Sequence, residues 1–133
     1  MTQEPVHSKD APKAVGAYSQ AIKSGSTVYL SGQIPLDPAT SKLVEGSFDQ
    51  QISRVFENLK AVAEAAGGSL NHIAKLTVYL TDLANYAHVN AVMEMRFEPP
   101  FPARSVVQVA ALPLGAPVEI EAVMVLDLSE YSF

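Results

Sequence analysis

The segment Phe101-Pro102-Ala103-Arg104-Ser105 carries the most conspicuous chemical group in the chain. Pro102 fixes its own φ and biases Phe101 towards an extended shape, so Arg104 enters the apolar run Val106, Val107 and Val109 from a stiffened lead. An arginine placed there has two readings. It closes a structural ion pair, or its planar fork of N–H donors waits for a carboxylate or a phosphate. Later in the chain, Val118-Glu119-Ile120-Glu121 puts two carboxylates on one face of a strand, about 7 Å apart by strand geometry. They form a solvated edge or an interface salt bridge, or one of them holds and polarises a water as a general base does. Spacing alone does not choose between the two glutamates.

Other polar residues carry weaker signals. Asn90 follows the apolar Val89 on a predicted helix. Tyr18 stands near the start of the first predicted strand, where a half-buried aromatic is the ordinary reading. Ser31-Gly32-Gln33 ends a strand with a glycine, which permits close backbone approach. No P-loop, G-x-S-x-G or G-x-G-x-x-G occurs. Cysteine is absent, which removes disulfides, thiolate catalysis and Cys-ligated zinc. His7, His72 and His88 have no metal-ligand spacing, and polar or surface positions account for them better than a metal site.

The elements that position these groups are set by hydrophobic patterning. Ala17 to Lys23 and Thr27 to Gly32 read as a hairpin joined at Gly25-Ser26, preceded by a loosely held lead-in over residues 1–13. A turn-rich loop covers 36–42, with a short strand near Leu43-Val44. Ile52, Val55, Phe56, Leu59, Val62, Ala63 and Ala66 keep the helical period, with Ser47 or Asp49 as cap and Gly67-Gly68 as stop. Ala74 to Leu80 suits a strand. Asp82 opens a second helix, about Leu83 to Phe97, with Tyr86, Val89, Met93 and Phe97 as its apolar stripe, and Pro99 and Pro100 end it. Ser105 to Val109 and Val118 to Leu126 are the last strands. The order β-β-α-β-α-β-β predicts an α+β fold, one mixed sheet with both helices on one face. The last strand alternates Val118, Ile120, Ala122, Met124 and Leu126 with Glu119, Glu121, Val123 and Val125. Its second face is therefore half apolar, and nothing in the chain is left to cover it, which implies a homo-oligomer.

The 133 residues fit one domain, 1–133, and 48% hydrophobic with 17% charged residues describes a packed protein. A net charge of -5 without a basic run argues against nucleic acid. No apolar stretch is long enough to span a membrane. The polar, acidic start is neither a secretory signal nor an Arg-rich transit peptide, which points to the cytoplasm.

Read in order, these segments resemble the RidA/YjgF family of enamine and imine deaminases over nearly the whole chain. Gly16-Ala17-Tyr18-Ser19-Gln20-Ala21 is similar to the family's G-P-Y-S-Q-A, and Ser31-Gly32-Gln33-Ile34-Pro35 to its S-G-Q-I-P. Glu57-Asn58-Leu59-Lys60-Ala61 resembles E-N-L-K-A, and Val89-Asn90 resembles V-N. The arginine segment and Val118-Glu119-Ile120-Glu121-Ala122 look like its closing signature. The resemblance implies a chorismate-mutase-like homotrimer with a barrel-like core of three sheets, helices outside and clefts between subunits. It implies 2-iminobutanoate/2-iminopropanoate deaminase-type hydrolysis of reactive enamines and imines to 2-keto acids and ammonia, with neither cofactor nor metal. By the same resemblance, Arg104 grips the carboxylate of the imine substrate and Glu119 positions the attacking water. Tyr18, Ser31, Gly32, Asn90 and Val106 line the cleft.

The sequence departs from the family at several points. Ala17 replaces a proline, Ala111 stands where many members carry an arginine, and Leu114-Gly115-Ala116-Pro117 lacks the usual lysine. A non-catalytic module that binds small carboxylates such as 2-keto acids is the alternative reading. A nuclease or translation inhibitor fits the acidic balance poorly.

Overall fold

The apolar stripe of the first predicted helix folds as α1, Phe48–Ala65, in the computed structural model, which describes residues 3–126. Of the two possible caps, Ser47 is the one used. Its side chain accepts from the Gln50 N–H, and the Gln50 side chain accepts in return from the Ser47 N–H, closing a capping box. The helix stops at Gly67, whose φ of 99° costs a glycine little. Gly68 N–H reaches back to the Ala63 carbonyl and Gly67 N–H to that of Glu64, the paired bonds of a Schellman stop.

Six strands form one sheet in the order β1-β2-β3-β6-β4-β5. They are β1 (Gln3–Val6), β2 (Ala21–Ser24), β3 (Thr27–Gln33), β4 (Ile73–Leu80), β5 (Ala103–Gln108) and β6 (Val118–Val125). Only β4 and β5 run parallel; the other pairs are antiparallel. The second helix, α2 (Tyr86–Arg96), comes after a 3-10 turn at Leu83–Asn85 that Asp82 caps through the Ala84 N–H. The predicted mixed sheet with two helices is what forms. Val28, Leu30, Leu76, Val78, Ile120 and Met124 of the sheet join Ile52, Phe56, Leu59, Val89 and Met93 of the helices in one buried cluster. The opposite face keeps Tyr29, Val107 and Val125 exposed. Among the described residues no helix is long and apolar enough to cross a membrane.

Three expectations change. The lead-in is not loosely held. Residues 3–6 form β1 on the edge of the sheet, and Met1 and Thr2 lie outside the described residues. Buried Gln20 fastens the stretch from Ser8 to Pro12, donating to the Ser8 and Pro12 carbonyls and accepting from the Ser8 N–H. That same use of Gln20 removes 17–20 from the predicted strand, so β2 begins at Ala21. Leu43 makes an isolated bridge to Leu36, less than a strand.

Asn58 ties helix to loop. Fully buried on α1, it donates to the Leu36 carbonyl at 3.0 Å and accepts from Arg54 Nε at 3.1 Å. Asn58→Ala strands these groups, and a lost buried partner costs on the order of 1–3 kcal/mol. The expected result is a lower urea midpoint at unchanged slope.

Candidate active site

Arg104 lies on β5, an edge strand, and its register partner on β4 is Leu76, a fully buried residue. Paired residues share a face, so the guanidinium emerges on the helix side of the sheet. There α2 presents Tyr86, Asn90 and Met93, which the helical period stacks on one stripe. Arg104 Nη1 donates to Asn90 Oδ1 at 2.6 Å and lies 3.6 Å from Met93 Sδ; Nη2 donates to the Tyr86 hydroxyl at 2.8 Å. The guanidinium carbon also sits 5.2 Å from the Tyr86 ring centroid. Every one of these partners is neutral. The ion pairs among the described residues are His88–Asp49 and Arg96–Glu57, and Arg104 belongs to neither. A cavity of about 540 Å3 opens beside it, walled by Asn90, Met93, Glu94, Phe101 and Pro102. Among the described residues no carboxylate pairs with Arg104, and its charge faces an open space.

Glu119 lies elsewhere. Its partner on β4 is Tyr79, three positions from Leu76 and hence on the other face, the one no helix covers. Between the pairs Leu30↔Ala122 and Gln33↔Ile120, β3 carries one residue more than β6, so Ser31 and Gly32 form a bulge. Gly32 meets the Glu119 side chain so closely that a Cβ would overlap its Oε2 and stand 2.9 Å from its carboxyl carbon. Ser31 donates its hydroxyl to the Ser19 carbonyl at 2.6 Å. Burial, and then the neighbouring Glu121 charge, push the Glu119 carboxyl above its ordinary value. The same two influences, burial first and then Glu121 and Glu119, raise the Tyr79 phenol. Beside this cluster Tyr18, Ser31, Tyr29 and Glu121 line a second cavity of about 530 Å3.

The expected site residues thus fall into two groups within one chain: Arg104 with Asn90, and Glu119 with Gly32, Ser31 and Tyr18. Val106 joins neither cavity wall; it packs against the core opposite Val78. Tyr86 was missed by patterning because its ring falls on the helical period, yet 43% of it is exposed. The histidines do not converge. His72 Nδ1 accepts from the Ser69 N–H and His88 pairs with Asp49. Among the described residues no three histidine or carboxylate side chains meet as metal ligands would.

Known proteins resemble this chain in sequence and in fold. A family model described as Endoribonuclease L-PSP matches residues 8–126. The chain belongs to this family, also called RidA/YjgF. A crystal structure of RidA from the Antarctic bacterium Psychrobacter sp. superposes with a TM-score of 0.89 at 52% identity, covering 92% of this chain and 99% of that one. Protein DfrA of Myxococcus xanthus is 50% identical over 94% of this chain and 97% of its own. A Dermatophagoides farinae protein named 2-iminobutanoate/2-iminopropanoate deaminase is 42% identical over 88% of this chain and 91% of its own. RidA/YjgF members thus share the six-stranded sheet and two helices found here.

The raised Glu119 carboxyl has a consequence for stability. The folded protein holds this proton more tightly than the unfolded chain, so stability falls as pH rises from the ordinary value, 4.5, through the folded one. Glu119→Gln removes that slope. The variant is expected to match the wild type below pH 4.5 and to exceed it above, by a margin that stops growing once the folded value is passed, as read by urea unfolding at stepped pH.

Proposed function

We propose that this protein hydrolyses reactive 2-imino acids, and the enamines in equilibrium with them, to 2-keto acids and ammonia, working as a homotrimer. The observation that carries the reading is Arg104: a cation held rigidly by neutral partners beside an open cavity. Relatives named as deaminases support the choice of an imine over other small carboxylates.

The substrate carboxylate takes the arginine fork, a charge-assisted contact contributing about 1.5–3 kcal/mol. Glu119 takes a proton from a water as that water adds to the imine carbon. Addition to the protonated imine gives a neutral carbinolamine. Glu119 returns the proton to its nitrogen, and as the C–N bond breaks the hydroxyl passes its own proton to Glu119, leaving the 2-keto acid and ammonia. A carboxyl raised above its ordinary value is better matched to taking and returning a proton near neutral pH. Glu119 fits this part better than Glu121, because Glu119 is half-buried against Gly32 whereas Glu121 is exposed. Imine carbons are electrophilic already, so holding water and carboxylate in attack geometry supplies much of the acceleration. These groups need no cofactor of their own to do so.

Within one chain Arg104 and Glu119 face opposite ways. The site is therefore shared: one subunit supplies Arg104 and Asn90, its neighbour Glu119, Gly32, Ser31 and Tyr18. The uncovered sheet face, with Tyr29 and Val125 exposed, is the surface that a second copy would bury.

Purified protein should accelerate 2-keto acid release from a freshly generated 2-imino acid, and Arg104→Ala should abolish it with the fold intact. Full activity in folded Arg104→Ala would refute the reading. Gly32 lies outside the left-handed region, so Gly32→Ala should fold; its methyl group displaces the Glu119 carboxyl, and kcat should fall by roughly 100-fold, within the range for losing a general base.

A further inference from the structure

Tyr86 does more than steady the arginine. Its hydroxyl oxygen accepts from Arg104 Nη2 at 2.8 Å, which leaves the hydroxyl hydrogen to be placed. A phenol accepts and donates at once, and among the described residues nothing accepts from this one. The ring is exposed at the start of α2, one helical turn before Asn90, and its hydroxyl sits against Arg104 Nη2, next to the cavity walls Asn90 and Arg104 rather than among them. A guanidinium carries five N–H donors, and the oxygens of Asn90 and Tyr86 engage two of its nitrogens. An anion approaching the remaining N–H groups meets the Tyr86 O–H beside them.

We propose that Tyr86 is a direct ligand of the substrate carboxylate, its hydroxyl donating to one carboxylate oxygen while Arg104 donates to the other. This rests on the reading of Arg104 as the anion-binding group. The ligand class is a small 2-keto or 2-imino monocarboxylate. Tyrosine at this position then serves two functions with one side chain. The ring lies against the guanidinium, and the hydroxyl extends the fork.

Phenylalanine separates the two, since it keeps the ring and loses only the hydroxyl. The test measures binding of 2-oxobutanoate, a product-type probe, and of its uncharged amide to wild type, Tyr86→Phe and Arg104→Ala by calorimetry, with KM for the 2-imino acid in parallel. Tyr86→Phe should weaken 2-oxobutanoate binding, and raise KM, by about tenfold or more, as expected for a hydrogen bond to a charged group. The amide should bind wild type and Tyr86→Phe alike. Arg104→Ala should bind no measurable keto acid. Equal keto-acid affinity in wild type and Tyr86→Phe, with Arg104→Ala still defective, overturns the role of Tyr86 alone. Undiminished binding by Arg104→Ala, or none by wild type, overturns the anion site itself.

Discussion

Successive side chains of a strand point to opposite faces of its sheet, and that alternation governs where chemistry can assemble in this molecule. Strand β4 is the common ruler. Leu76 pairs with Arg104 on one side and Tyr79 with Glu119 on the other, three positions apart. The cation therefore projects among the helices and the carboxylate projects onto the bare face. No rotamer change brings them together through a hydrogen-bonded sheet. A centre that uses both groups has to be completed by a second chain, and a symmetric oligomer does so at every interface at once.

Each half is prepared in its own way. On the helix side, a stripe of three neutral side chains on α2 fixes the guanidinium and leaves its charge unspent. On the open side, the absence of a side chain at Gly32 lets the Glu119 carboxyl settle against β3, and the bulge there turns Ser31 towards Ser19. Both arrangements depend on the core between them. Helix α1 packs on β3 and β6, and Asn58 reaches from it to the chain just after the bulge. Burying Asn58 is tolerable because its amide is hydrogen-bonded on both ends. The open face concentrates two glutamates and the edge strand carries the arginine, so the proposed pairing of copies would bring opposite charges together.

Much of this was legible in the sequence. The helical period of α1, the alternation along β6 and the stiff entry to β5 each report burial, and burial is what hydrophobic patterning encodes. The family resemblance supplied the choice of Glu119 over Glu121, which spacing left open. Other features escaped for identifiable reasons. Strand β1, with Glu4 and Pro5 exposed at the sheet edge, has almost no apolar signature to read. Gln20 has the look of a strand residue by position, while its amide is taken up in holding the chain at Ser8 and Pro12. Tyr86 falls on the apolar period of α2 by position while its hydroxyl serves the arginine. The opposed facing of Arg104 and Glu119 depends on strand order and register, which one chain's patterning does not contain.

The most direct measurement is complementation between two inactive variants. Arg104→Ala and Glu119→Gln are each expected to lack imine hydrolysis. Refolded together from an equal mixture, they should regain about one quarter of wild-type activity, because random assembly pairs an intact arginine half with an intact glutamate half at that frequency. No recovery in mixtures that demonstrably co-assemble would contradict a centre shared between subunits.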